Sequence, residues 1–224
     1  MKRSIILFFA IFATSLNLMA QSGEEWLAKL SRSLGERYAM SEEWLAKLSR
    51  SLGERYAMSM IVAMGSDMDD LEEQVSGYIM VEGDSYYITL GIMEVYSDGV
   101  LRYEINNERK EVTEDRVNLS SHDLLTNPTR AFLFAPEEFD ITLRFSHNGE
   151  IACLELSPRD AALGVTTITL ALLSEGDNVY PSQIAYDYDG DLVCITLYMV
   201  DVQDKSLPRW NKDNYRAYDI VSFL

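Results

Sequence analysis

From residue 77 onward the chain is cut into short runs in which apolar and polar residues alternate, separated by small groups of turn residues. Alternation with period two puts successive side chains on opposite faces of a strand. Glu82-Gly83-Asp84, Ser97-Asp98-Gly99, His147-Asn148-Gly149 and Asp189-Gly190 supply the Gly, Asn and Asp residues that tight hairpins need for positive φ. The runs 77–81, 85–92, 93–96, 100–105, 110–113, 139–145, 150–156, 166–173, 183–188 and 192–200 are therefore predicted strands, and 215–223 is a candidate to close the sheet. Residues 121–134 break the alternation: Leu124, Leu125, Phe132 and Phe134 with Asn127-Pro128 predict a short helical insert. The pattern predicts a mainly β (α+β) chain with one curled antiparallel sheet of about ten or eleven strands, rolled into a barrel or half-barrel. The 13 Tyr and 8 Phe against 5 Pro favour the same class.

The first twenty residues have a different logic. Met1-Lys2-Arg3 is a short basic start, an apolar run follows from Ile5 to Phe12, and Leu18-Met19-Ala20 ends on a small residue. This is the pattern of a secretory signal peptide cleaved after Ala20, and the apolar run is short for a membrane span. The domain expected to remain is 21–224, in an exported compartment, which for a bacterium is the periplasm. Next comes a tandem repeat: residues 24–41 and 42–59 are both EEWLAKLSRSLGERYAMS. Trp26, Leu27, Leu30 and Leu34, and again Trp44, Leu45, Leu48 and Leu52, fall at helical spacing. Gly35 and Gly53 are plausible helix stops. After Gly53 the period becomes two, with Tyr56, Met58, Met60, Val62 and Met64 alternating, so only the second copy can carry a helix-to-strand junction. Two copies do not make a solenoid.

Several functions are excluded or disfavoured by composition. The formal charge is −17, and loss of Lys2 and Arg3 leaves 17 basic against 36 acidic residues. Such a surface does not suit nucleic acid or anionic lipid heads. Two His and two Cys are too few for a zinc module or an iron–sulfur cluster, so no cofactor or metal is expected. Cys153 and Cys194 lie in strands separated by two others in meander order, beyond disulfide reach, and are expected to be unpaired. Ser121-His122-Asp123 has the letters of a catalytic triad, but adjacent residues diverge and a polar turn is the better reading. Asp187-Tyr188-Asp189-Gly190-Asp191 lacks the spacing and late Glu of a calcium loop and reads as a hairpin turn. Asp67, Asp69 and Asp70 read as a solvated loop. No pair of carboxylates is singled out for catalysis, so letters alone neither support nor exclude a carboxylate-based hydrolase.

The order of elements adds a resemblance. The helix and Met-rich strand precede Gly77-Tyr78-Ile79-Met80-Val81, then Tyr86-Tyr87-Ile88, Glu94-Val95-Tyr96-Ser97-Asp98-Gly99, Tyr103 and Glu111-Val112-Thr113, with Asn127-Pro128 and the strands after Asp189-Gly190 later. Over about residues 42–224 this resembles the LolA-like family of periplasmic carriers of outer-membrane lipoproteins. The resemblance implies an unclosed antiparallel barrel with N-terminal and lid helices, and an apolar interior that shelters acyl chains without catalysis. It implies acylated lipoproteins as cargo and an inner-membrane lipoprotein-release complex as donor. Strand parity and family position give the candidate acyl-chain lining: Ile79, Val81, Tyr87, Met93, Val95, Leu101, Tyr103, Leu143, Phe145, Leu170 and Leu197, with Phe132 and Phe134 in a lid. The ten Met residues suit an adaptable apolar site. The chain departs from the family in having Glu82-Gly83-Asp84 where the better-known carriers have Lys-Arg-Pro, which bears on cargo hand-over. The rival reading from another class is a sensor or adaptor domain on the same fold.

Overall fold

The computed structural model describes residues 36, 38–66, 71–147, 150–160, 166–188 and 190–224, with 71–73, 145–146 and 188 described by backbone alone. The expected signal segment 1–20, most of the first repeat copy and the Asp67-Asp69-Asp70 run lie outside the described residues. Residues 41–224 form one compact unit and residues 1–40 group separately.

The second repeat copy makes the expected junction. Helix α1 covers residues 38–52 and stops at Gly53, which takes a φ of +60° without strain because it has no Cβ and whose N–H donates back to the Ser49 carbonyl. Strand β1 (Arg55–Gly65) follows at once. Trp44, Leu48 and Leu52 share one helix face and are all buried. The remaining strands are β2 (Leu71–Glu82), β3 (Ser85–Leu90), β4 (Met93–Ser97), β5 (Leu101–Asn106), β6 (Glu111–Arg116), β7 (Phe139–His147), β8 (Ile151–Pro158), β9 (Ile168–Glu175), β10 (Asn178–Tyr188), β11 (Asp191–Val200) and β12 (Asp219–Ser222).

All twelve belong to one sheet in the order β12-β6-β5-β4-β3-β2-β1-β11-β10-β9-β8-β7. Two hairpin meanders meet where β1 pairs with β11, Met60 opposite Leu197. The free edges are β7 and β12, so the sheet is an unclosed barrel. The final strand does not close it. β12 adds to the outside of β6, in parallel, with Ile220 opposite Val112. The sheet is thus antiparallel except at that one ladder.

Two strands run longer than alternation alone predicts. β2 starts at Leu71 because the ladder to β1 continues down to Gly65, and pairing there outweighs the weak pattern of residues 71–76. β10 starts at Asn178 and runs through Pro181. Pro181 faces Leu172 of β9 beside a register shift, whereas the ladder to β11 begins only at Gln183. The missing N–H of Pro181 therefore interrupts no bond on the β11 side.

One expected element is corrected. Residues 121–134 are turns, not a helical insert. Local side-chain bonds take the backbone donors a helix would use: Asn118 Oδ1 accepts from Ser120 N at 3.1 Å, and Asp123 Oδ1 accepts from Leu125 N at 2.8 Å. Pro128 has no N–H to continue a helical ladder.

Gly77 is required by a close approach. A Cβ there would sit 2.5 Å from the backbone oxygen of Thr89 and 2.5 Å from Met60 Cε. The methionine can move, but the β3 backbone cannot move without breaking its ladder. Gly77→Ala is expected to lower stability by about 1–3 kcal/mol, the usual range for overpacking. A urea midpoint unchanged by that substitution would show that β2 and β3 do not approach as described.

Candidate functional site

Strand alternation divides the sheet into two unlike faces. One face carries Tyr56, Met58, Met60, Ile79, Val81, Tyr86, Ile88, Val95, Leu143, Leu154, Leu170, Ile184, Ile195 and Leu197 in one buried apolar cluster with Trp44, Leu48 and Leu52 of α1. Phe132, Phe134 and Phe139 join the same cluster. We call this the inner face. Of the candidate lining residues it gathers Ile79, Val81, Val95, Phe132, Phe134, Leu143, Leu170 and Leu197. Met93 is half-buried in the same row as Val95.

Tyr87, Leu101 and Tyr103 are placed elsewhere. Tyr87 pairs with Tyr96, and Tyr96 with Tyr103, whereas the inner-face Val95 pairs with Ile88 and Glu104. Leu101 shares the row of Tyr103 and Ile105. The chain after β11 covers Tyr96, Tyr103 and Ile105 on this side: Trp210 stacks on Tyr103 at 4.5 Å and on Tyr215 at 4.9 Å. Glu94 anchors the cluster by accepting from Tyr96 Oη at 2.8 Å, Tyr215 Oη at 3.2 Å and Asn107 Nδ2 at 2.7 Å. Those donors hold the Glu94 carboxyl below its ordinary value even against its partial burial. For Phe145, the backbone lies past a register shift and pairs with Cys153; its side chain lies outside the described ones.

The segment 118–138 crosses the inner face and is pinned there by three tyrosines from three strands. Tyr56 Oη donates to Pro128 O at 2.8 Å, Tyr86 Oη to Thr126 O at 3.0 Å and Tyr186 Oη to Asp123 Oδ1 at 2.8 Å. Burial pushes the Tyr56 and Tyr86 phenols up, so both stay protonated donors. Asp123 is thus a turn and tether residue, and Ser121-His122-Asp123 forms no relay.

His122 is fully buried between Phe134 and Phe139. Its Nδ1 lies 3.1 Å from the Arg130 carbonyl, which can only accept, so Nδ1 carries the proton. Nε2 is then free to accept from the Arg130 guanidinium at 3.2 Å. Glu138 completes the group, 3.0 Å from Arg130 and 3.4 Å from His122 Nε2. The neutral imidazole satisfies the bonds to Arg130, whereas the imidazolium would set a donor against a donor. Burial, and then the Arg130 charge, hold the His122 pKa below its ordinary value of 6.5. The unfolded chain therefore binds this proton first as pH falls. The contribution is intact above pH 6.5 and is lost as pH drops from there toward the lower folded value. Urea midpoints are expected to fall between about pH 7.5 and 5.5 in the parent and to be flatter in His122→Gln; equal slopes would remove His122 as the cause.

Between α1 and this segment are two clefts. The first, about 510 Å³, is walled by Leu45, Ala46, Phe132, Leu133, Phe134, Pro136 and Ile141 with Glu42, Arg130 and Glu138 at its polar rim. The second, about 670 Å³, is walled by Leu52, Tyr56, Val81, Leu119, Phe132 and Leu133 with Glu54, Asp84, Thr129 and Arg130. Both volumes lie in the range of small-molecule sites, about 300–1,000 Å³. Ser49, Arg130, Phe132 and Leu133 belong to both. Leu133 is 53% exposed, an apolar side chain standing on the ridge between them. Sequence reading missed Leu133, Leu45 and Leu119 as lining residues, because neither strand parity nor the resemblance marks a position on the helix or in an irregular turn.

Among the described residues no three of His, Cys, Asp and Glu come together as metal ligands. Cys153 and Cys194 are free thiols in β8 and β11, with β9 and β10 between them. Burial raises both thiol pKa values, which keeps them protonated. At the Glu82-Gly83-Asp84 turn, Glu82 is paired with Arg55 at 3.1 Å and Arg209 at 3.0 Å, so cations reach this corner from β1 and from the chain after β11.

Fold and clefts together define an open-sheet protein with largely apolar clefts beside its helix. No protein-family model matches the sequence, and no curated protein sequence matches it. Solved structures similar to the chain include an uncharacterized conserved protein from Thermus thermophilus, with a TM-score of 0.49 at 11% identity over 82% of this chain and 99% of that one. They also include a LolA superfamily protein from Nitrosomonas europaea, with a TM-score of 0.41 at 10% identity over 80% of this chain and 96% of that one. A third is LprF from Mycobacterium bovis, with a TM-score of 0.40 at 12% identity over 76% of this chain and 97% of that one.

Proposed function

We propose that this chain is an exported, non-enzymatic carrier that shelters the acyl chains of lipoproteins, with residues 21–224 as the working domain after removal of 1–20. The observation that supports it most is the pair of apolar clefts meeting at Phe132 and Leu133 between α1 and the 118–138 segment. Each buried methylene of an acyl chain contributes about 0.8 kcal/mol, so a chain laid in either cleft gains more from length than from any polar contact. The sheet beneath is unclosed, and α1 rests on it through Trp44, Leu48 and Leu52, with Leu45 packed alongside and one hydrogen bond from Val179 N to Ser51 Oγ at 2.8 Å, rather than through a hydrogen-bonded ladder. Displacing α1 or the turns of 118–138 would extend the clefts onto the Met-rich inner face of β1, whose Met58 and Met60 can repack around a guest. The signal-like start, the short motifs of 77–99 and the periplasmic carriers they resemble agree with this role. Such a carrier would take acylated lipoproteins from an inner-membrane release complex.

The test uses purified residues 21–224 with a fluorescent acyl probe and a triacylated lipopeptide as competitor. Displacement by the acylated peptide, and none by the same peptide without its chains, is the expected result. A folded sample that binds neither probe nor lipopeptide would end the carrier reading and bring the adaptor reading forward.

A further inference from the structure

Resting on the carrier reading, we infer that the clefts select among acylated ligands by the charge of the head: they take chains attached to a neutral or cationic head and reject anionic ones. The argument is the balance of charge at the rim. Four carboxylates line the two clefts, Glu42 and Glu138 at the first and Glu54 and Asp84 at the second, against a single cation, Arg130. That cation is already engaged. One Arg130 Nη2 donates to both Glu138 oxygens, at 3.0 and 3.1 Å, and also reaches His122. Glu42, Glu54 and Asp84 form no ion pair among the described residues, and all three are exposed. The nearby Arg55 and Arg209 are both paired with Glu82. The rim therefore presents about three uncompensated negative charges to a head held at the cleft mouth, and like charges in such juxtaposition disfavour binding. The formal charge of −17 over the whole chain has the same sign. Chains in the clefts supply affinity, and the rim supplies discrimination between ligands of equal chain length.

The probes are three palmitoylated tetrapeptides of equal length bearing two Lys, two Glu or two Ser, each competed against the bound acyl probe on residues 21–224. The Lys peptide is expected to bind about tenfold more tightly than the Glu peptide at low ionic strength, with the Ser peptide between them, and the gap is expected to shrink in high salt. Glu42→Gln, Glu54→Gln and Asp84→Asn combined are expected to narrow the gap about threefold, which separates the rim from the charge of the rest of the chain. Equal or tighter binding of the Glu peptide overturns the inference while leaving the carrier reading standing, as does a gap the triple variant does not change. Displacement by no palmitoylated peptide overturns both.

Discussion

Leu48→Ala is expected to destabilise the folded unit by about 2–5 kcal/mol, the range seen when a fully buried leucine is truncated in a core that cannot collapse around the gap. Leu48 is 0% exposed and sits at the middle of the α1 face, one turn from Trp44 and from Leu52. It belongs to the cluster that holds the inner-face side chains of β1, β2, β10 and β11, and those positions are fixed by the ladders of the sheet. The backbone cannot move inward to fill a cavity without breaking pairs such as Met58 with Ile79 and Met60 with Leu197. The cost should therefore lie toward the upper part of the range. The substitution also tests which repeat copy is seated on the sheet. Leu30 is the counterpart of Leu48 in an identical sequence. A fall in the urea midpoint for Leu30→Ala with none for Leu48→Ala would overturn the assignment of the second copy to α1.

That assignment was legible in the letters, because only the second copy is followed by Met60-Ile61-Val62-Ala63-Met64, a run that can be a strand. The open sheet was legible for a related reason: most hairpin turns carry their own Gly or Asp signal, so strand order follows from sequence order through both meanders. What alternation could not settle is which face of a strand is covered. In β5 the set Leu101, Tyr103 and Ile105 alternates with Arg102 and Glu104, and either set could face the helix. Pairing decides it, since Val95 faces Glu104 and Tyr96 faces Tyr103. Tyr103 and Ile105 of that set then pack with Trp210, a residue about a hundred positions further along the chain with no local signal linking it to β5. The turn segment was misjudged for a different cause. Leu124, Leu125, Phe132 and Phe134 have near-helical spacing, but Asn118, Asp123 and Asn127 bind neighbouring backbone or side chains through their own polar groups, and Tyr56, Tyr86 and Tyr186 hold the resulting turns from below. Long-range tethers of that kind have no periodicity to read.

Leu133→Asp is expected to weaken acyl-probe binding by about 10–100-fold while leaving the fold intact. The side chain is half exposed and lies outside the buried cluster, so its replacement creates no cavity and should change stability by no more than about 0.5 kcal/mol. Its position gives the effect on binding. Leu133 walls both clefts, so a chain in either one covers it. Loss of that apolar contact costs about 1.5 kcal/mol, near the low end for a leucine, and each step of about 1.4 kcal/mol is tenfold in affinity. A carboxylate in its place must be desolvated when the chain arrives, or must hold the chain away, and either adds to the loss. Two comparisons make the result specific to the clefts. Leu119 walls only the second cleft and is 65% exposed, so Leu119→Asp should weaken binding less than Leu133→Asp. Val100 is 67% exposed and walls neither, so Val100→Asp should bind as the parent does. Parent-like affinity in Leu133→Asp would mean that acyl chains do not enter between α1 and the 118–138 segment, and the binding surface would have to be sought on the other side of the sheet. A loss in Val100→Asp equal to that in Leu133→Asp would trace the effect to added negative charge alone, because the two variants carry the same charge and only one of them touches a cleft.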